Sequence, residues 1–235
     1  MPEQDFLNAG LSQKLYDNFN DFIFSEDSKV VAKLLWRTYF ILETRHVPGD
    51  IAECGVFKGS GLISWLKILR TFCPGAYKKV IGFDFFDTKA ILNTLSGEEL
   101  ENMTALFKSR HVDMTGDFIC LLVNQLERAG FKNKNYELVK GDISVTSKRY
   151  VEERPGAKFS IIYLDCDLAE PTYNALVNFW DRLSVGGYVV FDEYAYHQWT
   201  ESQGADRFAK EYGLQIGAIN AECPTAYIRK PLNNY

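Results

Sequence analysis

The chain has 235 residues, 46% hydrophobic and 24% charged, a composition that suits one globular domain with a substantial core and excludes a disordered chain. The formal net charge is −5, with Lys and Arg scattered among the acids, so the basic stripe of a nucleic-acid binder is missing. No apolar run approaches the ~18 residues that span a bilayer, and the start Met1-Pro-Glu-Gln-Asp-Phe6 lacks the basic and apolar regions of a signal peptide, so a cytoplasmic protein without membrane or nucleic-acid partners is expected.

The elements alternate in the manner of a parallel α/β sheet. Residues 11–24 and 28–44 read as helices, the second with Leu34, Leu35, Tyr39 and Leu42 near helical spacing. Pro48-Gly49 breaks the pattern. A short strand over 50–54 leads into a turn bearing Gly55, Gly59 and Gly61, and residues 62–72 return to helix. Residues 80–84 form a second strand. The stretch 90–130 is helical with interruptions, too long for a simple crossover, and is expected to be a lid or insertion. Strands follow at 136–140 and at 159–164, the latter apolar on both faces and therefore central. A helix over 171–183 closes at Gly186-Gly187, a fifth strand runs over 188–191, and 214–219 with 225–228 make a closing antiparallel pair. The whole is expected as a single domain, 1–235, with residues 1–45 as an N-terminal helical extension.

The five cysteines, Cys54, Cys73, Cys120, Cys166 and Cys223, are odd in number and form no C-x-x-C pair, which argues against both a disulfide framework and a thiolate zinc site. Cys54 and Cys166 read as buried small hydrophobes.

Each strand delivers an acid to the carboxyl edge of the sheet, where open α/β folds bind ligands: Glu53, Asp84, Asp142, Asp165 with Asp167, and Asp192 with Glu193. One acid after a strand is ordinarily a helix cap; five strands doing so suggest a site. The first turn, Glu53-Cys-Gly55-Val-Phe-Lys-Gly59-Ser-Gly61, is neither a G-x-G-x-x-G fingerprint nor a phosphate loop, which disfavours a nicotinamide-dependent oxidoreductase. An acid just before the first glycine suits a ligand with a positive amino group, as in S-adenosylmethionine. Asp84, or Asp87 if the strand runs longer, is placed to accept from ribose hydroxyls, and Asp142 from an adenine amino group. Asp165, Asp167, Asp192 and Glu193 end neighbouring strands and would repel one another without a cation; an all-oxygen set favours magnesium, calcium or manganese over zinc.

Four segments, residues 47–61, 82–87, 163–168 and 186–194, together resemble the macrocin O-methyltransferase family over roughly residues 30 to 230. The resemblance implies a seven-stranded class I methyltransferase fold, S-adenosylmethionine as donor, magnesium, a homodimer or larger homo-oligomer, and sugar hydroxyls as acceptors. It implies Asp165, Asp192 and Glu193 as metal ligands and Asp167 as general base, with Asp165 also in the catalytic set. The expected donor-binding set is Glu53, Gly55, Val56, Lys58, Gly59, Ser60, Asp84, Asp142, Ile143 and Asp165. Two positions depart from the family pattern: Glu193 stands where a second aspartate is usual, and Ala169 where tyrosine is usual. A catechol or phenolic diol acceptor and a non-catalytic donor-binding subunit are the alternative readings. His197 follows the fifth strand in an aromatic loop and reads as structural or exposed, while Tyr194, Tyr196 and Trp199 are candidates for an apolar wall against a sugar.

Overall fold

The computed structural model describes residues 13–75, 77–112, 117–219 and 222–231; the start at Met1–Phe6 and the first two residues of the helix expected over 11–24 lie outside them. In chain order the elements are α1 (Gln13–Ile23), α2 (Lys29–Glu43), β1 (Asp50–Cys54), α3 (Ser60–Phe72), β2 (Val80–Asp84), α4 (Thr88–Leu92), α5 (Gly97–Ser109), α6 (Ile119–Arg128), β3 (Tyr136–Lys140), α7 (Ile143–Glu153), β4 (Phe159–Leu164), α8 (Ala169–Phe179), β5 (Leu183–Phe191), α9 (Glu201–Tyr212), β6 (Gly217–Ala218) and β7 (Ala226–Arg229).

The seven strands form one sheet in the order β3-β2-β1-β4-β5-β7-β6. The first five are parallel, and β7 runs antiparallel to both β5 and β6. This is the class I methyltransferase architecture. The period-2 alternation of strand side chains divides the apolar residues between two cores. Ile51, Ile161, Tyr188 and Val190 face α2, α3 and α6 through Phe40, Trp65, Leu66 and Leu126. Ala52, Ile162, Val189 and Phe191 face α7, α8 and α9 through Tyr150, Leu176, Phe179 and Phe208. All six residues of β4 are buried, as its two-sided apolar run predicts. Among the described residues no helix is long and apolar enough to cross a membrane.

Four boundaries around β5, β6 and β7 differ from expectation. The helix before β5 ends at Phe179, a 3-10 turn covers Trp180–Arg182, and β5 begins at Leu183. The two glycines do not stop a helix; they sit inside an irregular stretch of β5, where the pairing jumps from Phe159–Leu183 to Ile161–Tyr188. The sixth strand shrinks to Gly217–Ala218, and the seventh starts one residue late, at Ala226. In α2 the buried side chains are Arg37, Phe40 and Ile41, while Leu34, Leu35 and Tyr39 are exposed. Cys54 is buried as expected, but Cys166 is only half-buried, because it follows β4 rather than sitting inside it.

The stretch after β2 is helical with interruptions, as its sequence pattern predicts, and forms the three helices α4, α5 and α6. Met103 and Phe107 of α5 pack with Leu168, Phe57, Ile91 and Trp199 into a small third core over the carboxyl edge of the sheet. Hydrogen bonds pin it there: Thr200 Oγ1 donates to Glu99 at 2.9 Å, Asn102 donates to the Gln198 carbonyl at 3.2 Å, and Lys58 Nζ donates to the Arg110 carbonyl at 2.6 Å.

Candidate active site

The strand ends finish in register. Cys54 pairs with Phe83 and Leu164, and Leu164 with Phe191, so the residues that follow them emerge side by side. The ladder continues one step further: Gly55 N–H donates to Phe83, Asp165 N–H to Cys54, and Asp192 N–H to Leu164. Above these ends lies a cleft of about 690 Å³ between the sheet edge, α2 and the helices α4 and α5, large enough for a drug-sized ligand.

The floor of the cleft is the turn after β1. Gly55 has φ +88°, and a Cβ there would stand 1.9 Å from the Asp165 carbonyl oxygen, so only glycine lets β1 and β4 approach this closely. Gly61 is required for a different reason: its Cβ would stand 1.9 Å from Glu53 Oε1 and 2.8 Å from Arg37 Nη2. These two form a buried pair 3.6 Å apart. Burial pushes Glu53 up to about 8, against the pull of Arg37. Glu53 Oε2 and Arg37 Nε have no hydrogen-bond partner among the described residues, a costly arrangement in a dry interior unless a ligand answers it.

The remaining donor-site candidates divide by what holds them. Asp84 accepts three backbone N–H groups, from Val56 and Phe57 at 2.8 Å on one oxygen and from Phe86 at 2.7 Å on the other. It therefore clamps the β1 turn to the end of β2, whatever else it binds. Asp142 caps α7 by accepting from Ser144 N–H at 2.8 Å, and Asp87 caps α4 through Ala90 N–H. Val56, Ser60, Asp142 and Ile143 all line the cleft. Lys58 and Gly59 are not among its lining residues: the lysine reaches Arg110, and Gly59 packs on Leu122.

At the other end of the cleft stand the acids of β4 and β5. Asp192 is fully buried; its Oδ1 accepts the Tyr163 hydroxyl and its Oδ2 accepts Lys33 Nζ at 2.6 Å. The same ammonium lies 3.8 Å from Asp165 Oδ2, and Lys29 Nζ lies 3.4 Å from Glu193 Oε1. Burial and Asp192 push Asp165 up to about 7, although Lys33 and Arg37 oppose this. Burial, Asp165 and Glu193 push Asp167 well above the usual carboxylate range. Burial pulls Lys33 down, but Asp165 and Asp192 outweigh it and hold the ammonium above its ordinary value.

The expected metal set is thus only partly gathered. Asp192 and Glu193 offer donors within 4.8 Å of each other, and the third member of that group is Cys223 rather than Asp165. Asp165 is linked to Asp192 through Lys33. The hard-oxygen chemistry of the three carboxylates, the partnerless Glu193 Oε2 and the ammonium already between Asp165 and Asp192 fit a site for a cation.

Asp167 lines the cleft in the left-handed region, φ +63°, and its carbonyl accepts from Thr200 and Glu201 N–H at 3.0 and 3.2 Å. Of the aromatic loop only Trp199 lines the cleft; Tyr194 donates to Asp206, and Tyr196 and His197 are exposed. Four contributors were not foreseen. Lys29, Lys33 and Arg37 recur every four residues on one face of α2, a periodic signal that was there to be read. Glu201, fully buried and accepting from Glu193 N–H at 3.1 Å, starts a helix whose cues are Thr200 at its N-cap, Gln203 three residues later and Gly213 at its end.

A family profile described as Macrocin-O-methyltransferase (TylF) matches residues 38–230. The chain is 30% identical over 152 residues to the 8-demethyl-8-(2,3-dimethoxy-alpha-L-rhamnosyl)-tetracenomycin-C 4'-O-methyltransferase of Streptomyces olivaceus, a match covering 63% of this chain and 54% of that one. It is 28% identical over 153 residues to the demethyldecarbamoylnovobiocin O-methyltransferase of Streptomyces niveus, with the same coverage. The matches span about half the length of these curated relatives. Among solved structures, a calicheamicin methyltransferase superposes with a TM-score of 0.73 at 22% identity, covering 94% of this chain and 87% of that one.

Proposed function

The chain belongs to the macrocin O-methyltransferase family, and from that premise we propose that it transfers the methyl group of S-adenosylmethionine to a hydroxyl of a sugar or sugar-bearing small molecule, assisted by a hard divalent cation. The observation that carries the reading is the meeting, in one cleft, of the glycine turn after β1 with the acids that end β4 and β5.

The donor end of the cleft is the Gly55 turn, where Glu53 Oε2 is free to accept from an amino group and Asp142 retains an oxygen beyond its cap. The acceptor end is Asp165, Asp167 and Glu193, walled by Trp199, Leu168 and the apolar side of α5. Ala169 also lines this end; its small side chain leaves room where the family usually has tyrosine. Asp167 is the residue that takes the proton from the hydroxyl. It lines the cleft beside Asp165, and the acids around it raise its affinity for a proton, the direction a general base requires. Asp165, Asp192 and Glu193 would hold the cation, whose chemistry is to lower the pKa of a bound hydroxyl. Most of the rate should come from placing the acceptor oxygen against the donor methyl within the cleft. The reading extends to a cytoplasmic homo-oligomer.

A screen of nucleotide-linked deoxysugars against catechols, with S-adenosylmethionine and magnesium, tests it. Methylation of sugars is expected; methylation of catechols alone would transfer the enzyme to phenolic acceptors, and donor binding without turnover of any acceptor would point to a binding subunit. Asp165→Ala should abolish turnover; full activity of that variant in chelator would remove the cation from the account.

A further inference from the structure

The cation position among the acids is already claimed by the chain itself. Lys33 Nζ is 2.6 Å from Asp192 Oδ2 and 3.8 Å from Asp165 Oδ2, and Lys29, one turn earlier on the same face of α2, is 3.4 Å from Glu193 Oε1. Two ammonium groups therefore reach the three carboxylates assigned to the cation. Asp192 is fully buried, with its other oxygen taken by the Tyr163 hydroxyl. Left ionised in that place it needs a positive partner, because a buried charge without one is strongly disfavoured. Lys33 is that partner.

An ammonium at hydrogen-bond distance from a carboxylate oxygen and a divalent ion bonded to the same oxygen repel each other, and they compete for the same charge. We propose that Lys33 is an internal counter-cation that holds the metal position and must be displaced for a divalent cation to bind, which makes the amino-terminal half of α2 a gate on metal loading. The inference rests on the proposed metal dependence and adds a regulatory step to it. The gate can move. The only buried side chains of α2 are Arg37, Phe40 and Ile41, all C-terminal to Lys33. They anchor the far half of the helix, while Val30, Leu34 and Leu35 around Lys33 are exposed. The flexible stem of Lys33 can thus swing out while the anchored half stays in place. Lys29 and Lys33 also precede the span matched by the family profile, which starts at residue 38.

The test is Mn²⁺ binding to the full-length protein, followed by electron paramagnetic resonance, for the wild type, Lys33→Met, Lys33→Gln and Lys33→Arg, with thermal unfolding measured in parallel with and without Mg²⁺. The neutral variants should bind Mn²⁺ at least tenfold more tightly than the wild type, the arginine variant should not, and the neutral variants should show a larger Mg²⁺-dependent rise in Tm than the wild type. Lys33→Gln keeps a donor to Asp192 and guards against a Met variant that fails to fold. Equal Mn²⁺ affinity in wild type and neutral variants would overturn the gate and leave the metal site standing. Absence of Mn²⁺ binding in all four proteins would overturn the metal reading and the gate with it.

Discussion

Asp84→Asn separates a ligand group from a structural clamp. In the folded chain the Asp84 carboxylate accepts from Val56 and Phe57 N–H at 2.8 Å and from Phe86 N–H at 2.7 Å. Hydrogen bonds to a charged group contribute about 1.5–3 kcal/mol each, against about 1 kcal/mol for neutral ones. Asparagine can turn its carbonyl toward Val56 and Phe57, keeping two weaker bonds. Its amide N–H₂ then faces the Phe86 N–H, donor against donor. The net loss should be about 3 kcal/mol, a large share of the 5–15 kcal/mol that holds typical domains together. Urea unfolding of the ligand-free protein measures it, and with a slope of about 2–3 kcal/mol/M the midpoint should fall by about 1 M. Binding of S-adenosylhomocysteine should weaken as well, because the turn after β1 loses its anchor. A ligand-free stability within about 0.5 kcal/mol of wild type, combined with lost binding, would show that Asp84 serves the ligand and not the turn.

Further outcomes follow from the same geometry. Gly55→Ala places a Cβ 1.9 Å from the Asp165 carbonyl at φ +88°; strain and overpacking together should cost about 2–4 kcal/mol in denaturant unfolding, and an unchanged midpoint would contradict the close approach of β1 and β4. Glu53, raised from 4.5 to about 8 by burial, keeps in the folded state a proton that the unfolded chain releases. Its contribution therefore falls as pH rises between those values, by about 1.4 kcal/mol per pH unit. Between pH 5.5 and 7.5 the wild type should lose about 2 kcal/mol relative to Glu53→Gln, and parallel pH profiles would refute a raised Glu53. Asp167→Asn should lower kcat by about 10²–10⁴ while S-adenosylhomocysteine affinity stays within about twofold; a variant with wild-type kcat would exclude Asp167 as the base.

The carboxyl edge of the sheet was readable because β1, β2, β4 and β5 are apolar runs that end in or beside an acid, and registered parallel pairing brings such ends together. The two-sided apolarity of 159–164 likewise marked β4 as central. The role of Asp84 was less legible, since an acid after a strand looks the same whether it awaits a ligand or accepts backbone N–H groups from a turn 27 residues earlier. Lys58 sits in the glycine turn by sequence but spends its ammonium on α5, a contact set by the fold of the helices after β2. Lys29, Lys33 and Arg37 are spaced as one helical face, yet cations every four residues ordinarily mark a solvated surface; only the packing of α2 against the sheet turns them toward the acids. Glu201 is brought beneath Glu193 by the loop after β5, a placement no local pattern encodes.

The central claim is that the cleft binds the methyl donor. Titration calorimetry of the full-length protein with S-adenosylhomocysteine and with NAD tests it most directly. The account predicts saturable, near-stoichiometric binding of S-adenosylhomocysteine that is weakened by Gly55→Ala, with no measurable heat from NAD; saturable NAD binding with no binding of S-adenosylhomocysteine would contradict it.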